Sequence, residues 1–216
     1  MTQPHTTKAA ETRGHLLDAA ERLFSTNGIS GVSNRQISEA AGQGNNFAVG
    51  YHFGSRANLL SALLHRHQAP IDIIRARMVD ELPADPGLRD WMRCLVQPQL
   101  EYIGTQPVAT YYGRFWMELT IDPTTAAVLQ DAADVSVPLT AIIDGMNDSL
   151  PVMAESTLRC RGAMIGGSLM STIADFEKSR NDDGASDTTA WRDFSESVVD
   201  GMIGLWTGPD TVHAAD

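Results

Sequence analysis

The run Ser33-Asn34-Arg35-Gln36-Ile37-Ser38-Glu39-Ala40-Ala41-Gly42-Gln43-Gly44-Asn45-Asn46-Phe47-Ala48-Val49-Gly50-Tyr51-His52-Phe53 decides how this chain is read. Ser33 stands three residues before Gln36, the spacing at which each side chain can satisfy a backbone N–H at a helix start. A helix therefore begins at Ser33, turns Ile37, Ala40 and Ala41 inward, and ends at Gly42. Gln43-Gly44 supplies a turn, and a short helix is expected over Asn45 to Phe53, with Val49 and Phe53 four apart on its inner side. Upstream, Leu16, Leu17, Ala20, Leu23 and Phe24 form an apolar stripe on a helix from Glu11 to Thr26, which Asn27-Gly28 stops. Three short helices with a glycine-bearing turn before the last are the helix-turn-helix plan, whose final helix enters a major groove by its N-terminal end.

The residue types suit that task. Asn side chains can pair with the adenine edge, while small and aromatic residues can touch the thymine methyl, which makes Asn45, Asn46, Phe47 and Ala48 the candidate base readers. Ser33, Arg35, Tyr51, His52 and Arg56 can reach phosphate oxygens and set register. Asn34 and Gly44 complete the expected DNA-binding set. The competing reading is a plain helical subdomain in which Asn45 and Asn46 only cap the third helix.

Two pieces, Ser33 to Gly42 and Tyr51-His52-Phe53-Gly54-Ser55-Arg56-Ala57-Asn58-Leu59-Leu60, resemble the DNA-binding domain of the TetR family of transcriptional regulators over roughly residues 11 to 65. The segment from Gly42 to Phe53 is one residue longer than the family's commonest form, and Gly50 stands where the family usually has an aromatic residue, with Tyr51 one place later. The resemblance implies a homodimer in which the last two long helices pair with their copies as a four-helix bundle.

Working outward, residues 1–10 lack the apolar core of a secretory signal and no run of about 18 apolar residues exists, which reads as a cytoplasmic protein with a disordered leader and no membrane partner. The net charge of −11 argues alone against a nucleic-acid partner. Its distribution reverses that: residues 1–68 hold six basic and four acidic side chains, a balance of +2 that leaves −13 for the rest. Cys94 and Cys160 have no metal-ligand spacing and read as small buried residues. His65 and His67, two apart on a helix, point to different faces and read as solvated.

The expected fold is all-α: a helix-turn-helix domain over residues 11–56, a connector helix over 57–82 kinked at Pro70, a larger helical ligand-binding and dimerisation domain over 83–208, and a tail over 209–216. Within the body, helices are expected near Leu88 to Tyr102, Pro107 to Thr120, Asp122 onward, Val135 to Leu150, Val152 to Phe176 and Thr188 to Trp206, with a solvated loop from Asn181 to Asp187. All four Trp and eight of the nine Met residues follow residue 68, and such side chains suit a ligand-lined cavity. The expected ligand cluster is Trp91, Tyr112, Phe115, Trp116 and Met164. Small residues on the penultimate helix allow close helix contact, so Ala163, Gly166, Gly167, Met170, Phe194, Val198 and Met202 are the expected dimer interface.

The function these features indicate is a ligand-responsive regulator, a repressor that binds a palindromic operator as a homodimer and is released by a small, largely apolar effector. One alternative is a helical small-molecule-binding enzyme, but no phosphate loop, zinc helix motif, nucleophile elbow or paired di-iron motif is present, so no catalytic residue, metal or cofactor is assigned. The other, a DNA-architectural protein without a ligand, would call for far more basic residues.

Overall fold

The structure, a computed structural model, describes residues 4–134, 136–182 and 189–209. The first three residues of the expected leader, most of the expected loop (183–187) and most of the tail (210–216) lie outside them. Among the described residues the chain is all-α: α1 (Pro4–Asn27), α2 (Asn34–Ala40), α3 (Ala48–Phe53), α4 (Arg56–Asp80), α5 (Leu88–Thr105), α6 (Tyr112–Ile121), a 3-10 turn (Pro123–Thr125), α7 (Ala126–Asp134), α8 (Val137–Ser149), α9 (Glu155–Asp182) and α10 (Ala190–Thr207).

The chain divides into two compact units, Met1–Gln68 with Arg114–Ala132, and Ala69–Gly113 with Ala133–Asp216. In the first unit the stripe of α1 (Leu16, Leu17, Ala20, Phe24) meets Ile37 of α2, Val49 and Phe53 of α3, and Leu59, Leu60, Leu63 and Leu64 of α4, all buried. Residues far along the chain share this core, since Phe115, Leu119 and Val128 are buried in the same cluster and Phe115 stacks on Phe24 with ring centroids 6.1 Å apart. The division thus differs from the linear one expected, because α6 from Arg114 onward and α7 as far as Ala132 belong with the first unit.

Local chemistry sets the boundaries. Ser33 and Gln36 do form a capping box, with Ser33 N–H donating to Gln36 Oε1 at 2.8 Å and Gln36 N–H to Ser33 Oγ at 3.3 Å. Gly28 at φ 76° and Gly42 at φ 69° take the left-handed conformation that releases the chain from α1 and from α2. Residues 4–10, read as a disordered leader, are instead the first turns of α1, which opens on Pro4, a residue preset for the first helical position. His67 is buried too, its Nε2 2.9 Å from the equally buried Glu21, which Arg66 also contacts. Burial pushes the Glu21 carboxyl up, but hydrogen bonding and charge from His67 and Arg66 outweigh it and leave the pKa below its ordinary value of 4.5. A depressed pKa contributes stability present above that ordinary value and lost as pH falls below it. Mild acid should therefore loosen the α1–α4 contact, a loss that thermal melts between about pH 6 and 3 can follow and that Glu21→Gln should flatten.

In the second unit α5 is central, with α10, α8 and α9 packed around it. Two close approaches fix it: a Cβ on Gly104 would lie 2.6 Å from Trp191 Cδ1, and one on Gly145 only 2.2 Å from Trp91 Cε2. Pro107 was expected to open a helix, yet α6 starts at Tyr112. Residues of α9 compete for the segment before it: Thr110 Oγ1 donates to Glu177 Oε1 at 2.7 Å, and Asn181 Nδ2 donates to the Thr110 carbonyl at 2.7 Å. Pro70 lies inside α4, whose assignment runs through it from Arg56 to Asp80. Cys94 is buried, its thiol pushed up to about 11 by burial and then by Asp90, whereas Cys160 is exposed, contrary to expectation.

Candidate nucleic-acid interface

The reader presents a narrow set of free side chains. α3 begins three residues later than its sequence suggested, because Asn45 Oδ1 accepts from Phe47 N–H at 2.9 Å and the Asn45 carbonyl accepts from Ala48 N–H at 3.1 Å, making a turn ahead of the helix. Asn45 therefore shapes the entry to α3. Ala48 is buried with Val49 and Phe53, which removes it as a base reader. Gly44 and Asn46 are exposed, and the outer face of α3 carries Phe47, 80% exposed, and Tyr51, 84% exposed. Tyr51 meets His52 edge-on at 5.1 Å, and His52 is half-buried. These two aromatics, one at the N-cap of α3 and one on the helix, leave apolar surface in water side by side.

Behind this face the α1–α2 loop is tied down from two sides. Arg56 donates to the Ile29 carbonyl and, at 3.4 Å, to Asn34 Oδ1, while its guanidinium lies 4.8 Å over the Phe24 ring. Burial lowers the Arg56 pKa and the Asp122 charge partly offsets this. Arg56 thus holds the α1–α2 loop through the protein's own groups, a positioning role beside the phosphate contact expected of it. On the other side Ser30 Oγ donates to Asp122 Oδ2 at 2.5 Å. Hydrogen bonds from Ser30 and then Thr124 hold the Asp122 carboxyl down to about 2, from 3.8. A depressed pKa gives a contact at full strength above the ordinary value and lost only as pH falls toward the lowered one, so this lock should not titrate between about pH 5 and 8. Ser33 and Arg35 stay exposed, with Arg35 paired to Glu39 at 2.7 Å.

A prediction separates the two roles of Arg56. Arg56→Ala should cost about 1–3 kcal/mol of stability and weaken cognate and random DNA together, with an unchanged salt slope. A slope reduced by about one would count Arg56 among the phosphate contacts. Melting curves and salt titrations of operator binding decide it.

The expected ligand cluster is divided between the two units. Phe115 and Trp116 belong to the first unit and Trp91, Tyr112 and Met164 to the second. Phe115 fills the reader's core, Trp91 packs against Gly145, Tyr112 is buried, and Met164 is 49% exposed. Of the expected dimer residues, Ala163, Gly166 and Gly167 are exposed on α9, and Met170 is half-buried. Val198 and Met202 are buried in the chain's own core, and Phe194, half-buried, pairs with the half-buried Phe176 at 4.9 Å. The exposed glycines of α10 are Gly201 and Gly204, which the sequence reading passed over for their larger neighbours. Among the described residues no group of three or more His, Cys, Asp or Glu side chains could hold a metal ion.

Residues 16–63 match the family model of bacterial regulatory proteins, tetR family. The HTH-type transcriptional regulator AcrR of Shigella flexneri is 35% identical over 79 residues, a span that is 37% of this chain and 36% of that protein. The fold is similar to that of a transcriptional regulator, FadR, from Bacillus subtilis solved in complex with stearoyl-CoA, at 15% identity over 90% of this chain and 98% of that one, with a TM-score of 0.55. It is also similar to NalD, the secondary repressor of the MexAB-OprM multidrug efflux pump in Pseudomonas aeruginosa, at 22% identity over 91% and 96%, with a TM-score of 0.52. Residues 16–63 are thus similar to the N-terminal domain of the tetR family of bacterial regulatory proteins, and this chain spans about a third of the length of the curated relative it matches.

Proposed function

We propose that the protein is a ligand-responsive repressor that binds a palindromic operator as a homodimer and leaves it when a small molecule enters the second unit. The observation that carries the reading is the free face of Asn46, Phe47 and Tyr51, presented by a helix-turn-helix whose loop is tied at Ser30 and Arg56. The repressor role draws support from NalD, and a small-molecule effector from the FadR complex. Pairing of two chains draws support from α9, where Gly166 and Gly167 have open space at the position of a Cβ. A reader with so short a footprint gains little affinity alone, and a two-fold pair doubles it.

A ligand lowers DNA affinity only if it favours a conformation that binds DNA less well. Three helices carry the chain between the units, α4 at Gln68–Ala69, α6 at Gly113–Arg114 and α7 at Ala132–Ala133. The connector is therefore not the sole continuous path, and α6 leads directly to Phe115, Leu119 and Asp122 in the reader. Coupling of about 1–3 kcal/mol would reduce operator affinity roughly 5- to 150-fold. Native mass spectrometry of the purified protein should find a co-bound small molecule, and adding that molecule should release labelled upstream DNA. Equal binding of upstream and random DNA, with no response to any compound recovered, would contradict the reading. No single helix among the described residues is long and apolar enough to cross a membrane.

A further inference from the structure

The second unit buries charge that helix packing alone does not call for. Arg75 of α4 is 4% exposed and donates from Nη1 to Asp72 Oδ1 at 2.7 Å. The same oxygen accepts from Ser136 Oγ, the N-cap of α8, at 2.9 Å. From α6 comes Tyr112, 1% exposed and edge-on to Tyr102 of α5 with centroids 6.3 Å apart. From α9 comes Glu177, which is buried and accepts from Thr110 Oγ1 at 2.7 Å and from Gly113 N–H at 3.0 Å. Burial pushes the Tyr112 phenol far above its ordinary value; the Arg75 charge opposes this, while those of Glu177 and Asp72, with Tyr102, add to it. Tyr112 therefore keeps its proton at any physiological pH.

Arg75 Nε is buried with no hydrogen-bond partner among the described residues. A buried charged donor with an unmade bond is costly, and native structures keep few. Asp72 already balances the Arg75 charge, so what Nε lacks is a lone pair rather than a second negative charge.

We propose that Arg75 is the polar end of an effector site inside the second unit, and that it selects an apolar molecule bearing an uncharged carbonyl oxygen, such as a ketone, which accepts from Arg75 Nε. This rests on the ligand-responsive reading above and names the effector's class. A hydrocarbon of the same shape leaves Nε unpaired, and a carboxylate brings a further negative charge beside Asp72 and Glu177; both are disfavoured.

The test uses the full chain and three matched probe series: alkyl phenyl ketones from acetophenone to octanophenone, the alkylbenzenes of the same shape, and the corresponding aryl and arylalkyl carboxylates. Affinity is read by calorimetry, and operator release by anisotropy. The best ketone should bind roughly tenfold or more tighter than its hydrocarbon and carboxylate partners. Arg75→Met should remove that preference while keeping cognate DNA binding. Asp72→Asn with Arg75→Met guards against a fold lost through an unpaired Asp72, with melting curves as the check. Ketone and hydrocarbon binding alike, a preference that survives in both variants, or no ketone binding at all would each overturn the proposal. If operator is still released by a co-purified compound in those cases, the ligand-responsive reading stands and only the assignment of Arg75 falls.

Discussion

Gly167→Leu should yield a folded chain that no longer dimerises and that holds its operator roughly a thousandfold more weakly, near the level of non-specific binding. Gly167 sits exposed on α9 with nothing among the described residues within 4 Å of a Cβ built on it, so a side chain there starts into open space. The surface it is expected to disturb is one supplied by a second copy. Gly145→Leu is the contrasting control: a Cβ there already lies 2.2 Å from the Trp91 indole, so that variant should lose about 1–3 kcal/mol of stability or more. Sedimentation velocity at micromolar concentration gives the readout. A wild-type chain that sediments as a monomer, or a Gly167→Leu chain that stays dimeric, would sink the assigned interface.

The second large effect is expected at the groove-facing turn. Asn46→Ala should lose about 1–3 kcal/mol on the cognate operator while leaving random DNA nearly untouched, because a base-edge hydrogen bond reads sequence and a phosphate contact does not. Its neighbour should behave differently. Asn45 Oδ1 is engaged with Phe47 N–H at 2.9 Å, so Asn45→Ala should loosen the start of α3, lower the melting temperature and weaken all sequences alike. Competition titrations with cognate and random duplexes separate the two. Equal losses on both duplexes for Asn46→Ala would remove it from the reading set.

What was legible in the sequence was local. The Ser33–Gln36 box, the stripe from Leu16 to Phe24, the glycine stops at Gly28 and Gly42, and the inner pair Val49 and Phe53 all depend on neighbours within a few residues, and the structure contains each of them. Even so, two local readings were incomplete. The backbone bond at Asn45 moved the start of α3 to Ala48 and turned that residue inward, and Pro4 began a helix where only the lack of an apolar pattern had been weighed. The remainder was hidden because it depends on pairs far apart in the chain. Phe115 looked like a pocket aromatic until Phe24 was placed 6.1 Å from it, and Arg56 like a phosphate contact alone until the Ile29 carbonyl and Asn34 were placed against it. Pro107 looked like a helix start until Glu177 and Asn181 claimed Thr110. One signal was available and not used: Asp72 and Arg75 put two charges three apart within the apolar pattern of α4, a place where a buried pair was worth asking about.

The central claim, a paired reader of a two-fold site that a small molecule dislodges, is tested most directly by a footprint of the purified protein on the DNA upstream of its own gene. The account predicts two protected tracts related by a two-fold axis, with centres about 34–36 Å or a multiple of that apart, and their loss when the co-purified compound is added. Protection spread evenly over any sequence, or a single tract with no two-fold mate, would contradict it.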